Sequence, residues 1–171
     1  MEEKKYAVLI DGDNISSKYL DSILNEMTKY GIATYKRIYC DFTSQQSSKW
    51  RRLVRDSGIQ AMQQFANTVG KNATDSTLII DAMDILYTGN VDGFCIVSSD
   101  GDFTRLAIRL KESGMDVIGM GESKTPRSFR AACTVFTDLE ILYEAESEDD
   151  EISTKAVSYT HLRAHETELH L

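Results

Sequence analysis

Three polar residues, Asp11, Asp13 and Asn14, stand directly behind the apolar run Val8, Leu9 and Ile10. The run reads as a buried strand and Gly12 as a tight exit from it. A carboxylate at the end of a buried strand is costly unless something pairs with it. Two readings compete: Asp13 or Asn14 caps a helix over 15–30, or Asp11 binds a cation. The segment FCIVSSDGDFTRLA (94–107) repeats the arrangement, with Asp100 and Asp102 behind an apolar run and ahead of a helix. Asp-Gly pairs are common in ordinary turns, and Asp102 is also placed to cap its helix. Two acidic strand ends in one chain are less ordinary. If the two strands are neighbours, Asp11, Asp100 and Asp102 converge on one crevice.

A third segment, GKNATDSTLIIDAMDILY (70–87), carries Asp75, Asp81 and Asp84. Asp75 falls in the first turn of a helix, where the helix dipole favours a carboxylate in any case. Asp81 lies among Ile79, Ile80, Ala82 and Met83, on a helix apolar on several sides, and needs a partner. Asp84 reads as surface. Clustered carboxylates bind hard divalent cations, and Mg²⁺ or Mn²⁺ fits an open carboxylate site. Such ions activate water and stabilise the oxyanions of a phosphodiester displacement. That chemistry needs no histidine. Residues 1–160 contain none, which excludes serine–histidine and cysteine–histidine mechanisms from that stretch. Ser98 and Ser99 then read as hydroxyls lining a strand end rather than as nucleophiles.

The net charge of −8 is unevenly spread: residues 144–171 hold eight acids and two bases, residues 1–143 nineteen acids and seventeen bases. If several of those acids surround a cation, the remaining surface is net basic, so the acidic total does not exclude a phosphate-rich partner. SSKWRRLVR (47–55) sets Lys49, Arg51, Arg52 and Arg55 around Trp50 on one helix. Lys36 and Arg37 precede it. ESKTPRSFR (122–130) adds Lys124, Arg127 and Arg130, and Lys71 stands just ahead of Asp75. Bases interleaved with an aromatic ring suit single-stranded nucleic acid, and a solvated helix face is the ordinary alternative. Trp50 reads as a core or groove wall.

The elements that must position these residues alternate. Strands are expected at 6–10, 33–40, 60–63, 93–97, 116–120 and 135–136, and helices at 16–30, 46–57, 75–87, 102–113 and 128–132. This order implies an α/β fold, a mostly parallel central sheet with helices on both faces, and ligands bind such sheets beyond the carboxyl ends of the strands. One domain is expected over 1–143, followed by an acidic linker over 144–155 without apolar periodicity. Residues 156–171 hold His161, His165 and His170. That stretch resembles the translation of a sequencing adapter and is expected to be a non-native tail, disordered or loosely helical. Cys40, Cys95 and Cys133 form no CxxC pair and read as small core residues. No apolar stretch approaches the roughly 20 residues that span a bilayer, and a cytoplasmic location is the simplest reading.

Taken together, LIDGDNI, GKNATDSTLIIDAMDILY, VSSDGDFTRLAIRLKESGMDVIGMGESKTPRSFRAAC and FTDLE resemble the NYN domain family, in its LabA-like (DUF88) branch, over 6–143. The resemblance implies a Rossmann-like sandwich related to PIN nucleases and a Mg²⁺- or Mn²⁺-dependent ribonuclease site made of aspartates. Carried over by position, Asp11, Asp75, Asp100 and Asp102 form the acidic catalytic and metal-binding set, with Asn14 and Asp81 as supporting positions and Ser98 and Ser99 beside them. Arg51, Arg52, Lys71, Lys124 and Arg127 become candidates for RNA contact. Relatives often carry a C-terminal OST-HTH (LOTUS) RNA-binding domain and are often dimeric, so such a domain and a homodimer are expected partners. Arg105 stands where many relatives place a proline.

The resulting expectation is a metal-dependent ribonuclease, endonucleolytic on RNA. A non-catalytic RNA-binding or regulatory module that keeps the acidic pocket is the alternative. A phosphatase of the haloacid dehalogenase type would use an Asp-x-Asp nucleophile, but Ile15 stands where a hydroxyl residue is wanted.

Overall fold

Residues 6–10 are apolar on both faces, and only a strand covered on both sides can bury such a run. The computed structural model, which describes residues 2–65 and 76–152, places it at the centre of a sheet. The strands are β1 (Lys5–Asp11), β2 (Ile32–Cys40), β3 (Gln60–Gln63), β4 (Gly93–Val97), β5 (Asp116–Gly121) and β6 (Val135–Asp138). Their spatial order is β3-β2-β1-β4-β5-β6, and every pairing is parallel. The expectation of a mostly parallel sheet thus becomes an all-parallel one. Lys71, Asp75 and the histidine-bearing tail lie outside the described residues.

The helices are α1 (Leu20–Met27), α2 (Ser48–Ser57), α3 (Ser76–Thr88), α4 (Thr104–Glu112) and α5 (Arg127–Ala132), with a further helix, α6, over 139–152. Right-handed crossovers decide which face each one covers. The chain moves one way along the sheet from β1 to β3, and α1 and α2 fall on one face. It then crosses back and moves the other way from β4 to β6, so α3, α4 and α5 fall on the opposite face. The two cores follow. Val8, Ile10, Ile38 and Val97 pack under Leu20, Ile23, Met27 and Trp50, while Ala7, Leu9, Tyr39 and Ile96 pack under Leu78, Ala82, Ile85, Leu106 and Phe129.

Several bounds differ from expectation, among them the helix expected over 16–30, which is a 3₁₀ turn, Ser17–Tyr19, followed by α1. The stretch read as an acidic linker from 144 is helical as far as 152. Its polar residues face water nearly all round, a pattern that apolar periodicity cannot detect. Leu139 anchors the start of α6 in the core, Tyr143 meets Tyr19 edge to face at 5.6 Å, and Ser22 Oγ donates to Glu146. The helix after β4 begins later than expected: a short 3₁₀ turn, Gly101–Phe103, precedes α4. No helix among the described residues is long and apolar enough to cross a membrane.

Gly121, the last residue of β5, is required by close approach. A Cβ there would lie 2.6 Å from both the Ser98 carbonyl oxygen and Thr125 Oγ1. Gly121→Ala is expected to force these groups apart and lower stability by about 1–3 kcal/mol, read by urea unfolding. An unchanged unfolding midpoint would show that the end of β5 yields freely.

Candidate active site

The chain order reverses between β1 and β4, and at such a switch point the strand ends diverge and leave a crevice. Ile10 is in register with Val97, so Asp11 and Ser98 follow side by side at the rim. Strand alternation puts the Asp11 side chain on the face of Ala7 and Leu9, below α3 and α4. Ser98 Oγ donates to Asp11 Oδ2 at 2.8 Å, and Asn14 Nδ2 donates to the same oxygen at 2.9 Å. Ser98 Oγ also accepts the Asp100 backbone N–H at 3.0 Å, and Asp100 Oδ1 accepts that of Asp102 at 2.9 Å. A continuous chain of bonds therefore runs Asn14–Asp11–Ser98–Asp100–Asp102. Asp100, rather than Asp102, caps the 3₁₀ turn.

Asp11 is only 2% exposed. Burial pushes its carboxyl up to about 6, the Asn14 and Ser98 bonds pull against this, and the charges of Asp13 and Asp100 push further up. Among the described residues no lysine or arginine forms an ion pair with Asp11, Asp100 or Asp102. Within the same residues Asp11 Oδ1 and Asp100 Oδ2 accept no hydrogen bond. A buried negative charge with fixed orientation and spare oxygen lone pairs fits a hard cation. The described residues alone do not complete such a site, because no three histidine, cysteine, aspartate or glutamate side chains among them are placed to hold a metal. Asp75, the remaining expected acid, and Lys71 lie outside the described residues.

Asp13 and Asn14 do not cap a helix. The N-cap is Ser16, whose side chain accepts the Lys18 N–H. Asp13 instead accepts the Asp41 N–H at 3.1 Å and the Gln64 amide at 3.1 Å, tying the β1 exit to the ends of β2 and β3. Trp50 is a buried wall whose Nε1 donates to the carbonyls of Gly12 and Ile15 at 3.0 and 3.3 Å, holding the turn behind Asp11. Gln64 carried no sequence signal, because its partner is far away in the chain.

Asp81 stands apart from the acidic chain. It accepts from Tyr39 OH at 2.7 Å and from Arg37 Nη1 at 3.1 Å, which clamps α3 onto β2. Tyr39 is the register partner of Asp11, so this clamp supports the strand end from beneath. Ser99 Oγ accepts the Glu122 N–H at 2.9 Å and holds the loop after β5. Arg51 Nη1 bonds the carbonyls of Phe42 and Ser44, so its charge braces the loop before α2. Arg52, Lys124 and Arg127 are exposed. Lys124 lines a cleft of about 390 Å³ with Gly12, Asp13, Asn14 and Lys49, whereas Arg127 opens α5 outside that lining.

Asp11 holds its proton more tightly folded than unfolded. Its contribution to stability is therefore greatest below its ordinary value of 3.8 and falls as pH rises to about 6. Asp11→Asn is expected to stabilise the metal-free protein at pH 7 by about 2–3 kcal/mol and to leave it unchanged near pH 4. Thermal melts across that range in EDTA check this; destabilisation at pH 7 would show that the ionised carboxylate is already compensated. Asp81→Ala deprives Tyr39 and Arg37 of their shared acceptor and is expected to cost about 2–3 kcal/mol. A midpoint within error of the parent would remove Asp81 from the support of β2.

Comparison with known proteins agrees with this architecture. A crystal structure of a protein of unknown function from Vibrio parahaemolyticus superposes with a TM-score of 0.66 at 19% identity, over 80% of this chain and 93% of that one. An uncharacterized protein of Methanocaldococcus jannaschii is 27% identical over 125 residues, 70% of this chain and 48% of the relative. The chain thus spans about half the length of that curated relative. The model of the NYN domain family matches residues 5–140, most of the chain. With its parallel sheet and carboxylates gathered at the switch point, this chain belongs to the NYN domain family, a family of PIN-like nucleases.

Proposed function

We infer that this protein is a metal-dependent ribonuclease, an endonuclease that uses Mg²⁺ or Mn²⁺ at the crevice between β1 and β4. The observation that carries this reading is Asp11: a buried carboxylate at the switch point, joined through Ser98 to Asp100, with no cationic side chain paired to it among the described residues. Asp11 and Asp100 would hold the ion, with Asp75 as the further expected ligand. A divalent ion held there would activate water for attack and offset charge on the phosphodiester oxygens.

The chain's own residues do the rest. Asn14 and Ser98 converge on one oxygen of Asp11 and fix the plane of the carboxylate. The 3₁₀ turn does the same for Asp100 through the Asp102 N–H. Asp102 is exposed at the rim, where its carboxylate can accept a proton from an attacking water or orient it. Lys124, on the loop after β5, stands across the exit of β1 as a cation for the phosphate chain.

The test is incubation of the protein with end-labelled single-stranded RNA in Mn²⁺, in Mg²⁺ and in EDTA, beside Asp11→Asn and Asp100→Asn. Cleavage is expected only with metal, and to fall at least about 100-fold in either variant. Since Asp11 must ionise, the rate is expected to drop as pH falls below about 6, and added Mn²⁺ should move that limb to lower pH. Intact RNA that still shifts in a binding gel would favour the regulatory module. Cleavage that survives both substitutions would place the chemistry elsewhere.

A further inference from the structure

A second cleft, of about 420 Å³, opens on the same side of the molecule as the cleft that begins at Gly12. The two share Ser16, Ser17 and Lys49 in their walls, so Lys49 sits at their junction. The first adds Lys124, in a wall that includes Gly12 and Asp13 of the β1 exit, and the second adds Lys18 and Arg52. Four cations therefore line one continuous path that starts at the turn directly behind Asp11 and leads away over α1 and α2.

Their charges are not spent internally. Among the described residues none of Lys18, Lys49, Arg52 and Lys124 forms an ion pair. Lys18 is exposed, with its ammonium 5.1 and 5.2 Å from the ring centres of Tyr19 and Tyr143. Lys124 rides on a loop that Arg130 braces by donating to the carbonyls of Thr125 and Ser123 at 3.0 and 2.8 Å. The carboxylates in the two walls are Asp13, whose oxygens are taken by the Asp41 N–H and the Gln64 amide, and Asp21. The one indole near the path, Trp50, is buried with its N–H committed to two carbonyls, so it offers no face for base stacking.

We propose that the Lys124–Lys49–Lys18/Arg52 path is a backbone-reading track that holds the phosphates of a single RNA strand as it leaves the acidic crevice. This rests on the ribonuclease reading for its ligand class. The track grips without regard to base identity, because its walls hold the strand through cations and serine hydroxyls and the one ring among their lining residues, Trp50, is buried. An acidic peptide would meet the same cations, but the adjoining crevice, read as a nuclease site, favours RNA as the occupant.

The test is the salt dependence of binding to fluorescein-labelled oligouridylate of about 12 nucleotides, a span within the range of single-strand sites. The full chain is used in EDTA, so that nothing is cut. Lys49→Gln, Lys18→Gln with Arg52→Gln, and Lys111→Gln on α4 as control are compared. Each track cation removed is expected to reduce the slope of log affinity against log salt by about 0.7, which is about fivefold in affinity at 0.1 M salt relative to 1 M. Oligoadenylate should lose affinity in parallel, and the control should lose none. Slopes unchanged in the variants, no binding by the parent, or displacement of RNA by polyglutamate at equal charge concentration would overturn the track. If the slopes fall as expected but no RNA is cut in any metal, the track stands and the nuclease reading fails.

Discussion

The hydrogen bond from Ser98 to Asp11 is the constraint on which the rest of the site depends. It joins the ends of the two central strands, β1 and β4, at the point where the sheet changes direction. Parallel neighbours would otherwise be free to diverge once their ladder ends. The same hydroxyl then receives the Asp100 N–H, so the second strand end is positioned by the first. The price is a carboxylate whose ionised form burial and two neighbouring acids make unfavourable. A fold tolerates such a group when a cation can offset it, and evolution for stability alone would have removed the charge.

Charge is sorted by the winding of the chain. Right-handed crossovers send α1 and α2 to one face, and α3, α4 and α5 to the other. The Asp11 side chain points to the second face, while the turn behind it, pinned by Trp50, opens toward the first. Acidic and basic functions are thereby placed on adjoining sides of one strand exit. Asp13 ties the ends of β1, β2 and β3 together through both of its oxygens, and its charge adds to the acidic side by raising Asp11. The switch point thus has two layers: an acidic layer of Asp11 and Asp100, and a structural layer that keeps the loops in place.

Some residues that look alike in the sequence separate sharply in space. Arg51 and Arg52 are adjacent bases on α2, yet Arg51 bonds loop carbonyls while Arg52 faces a cleft. Asp81 resembles a site acid in composition, but its partners are Tyr39 and Arg37. Ser98 and Ser99 are consecutive and serve different loops, because successive side chains at a strand end point to opposite faces. Lys18 is conspicuous only once Tyr19 and Tyr143, far apart in the chain, are brought beside it.

The sequence by itself determined the alternation of strands and helices, because continuous apolar runs and helical spacing are local patterns. It also marked Asp11, Asn14, Asp100 and Asp102 as polar groups clustered behind two such runs, since a charge at a buried strand end stands out against its neighbours. The tertiary structure alone decided which of those groups is buried and which oxygen each hydrogen bond occupies. It also decided that Asp13 and Arg51 are spent on loops, that 144–152 continues as helix, and that Lys49 joins two clefts. Each of these depends on contacts between segments distant in the chain, and a local pattern carries no information about which distant partner will arrive.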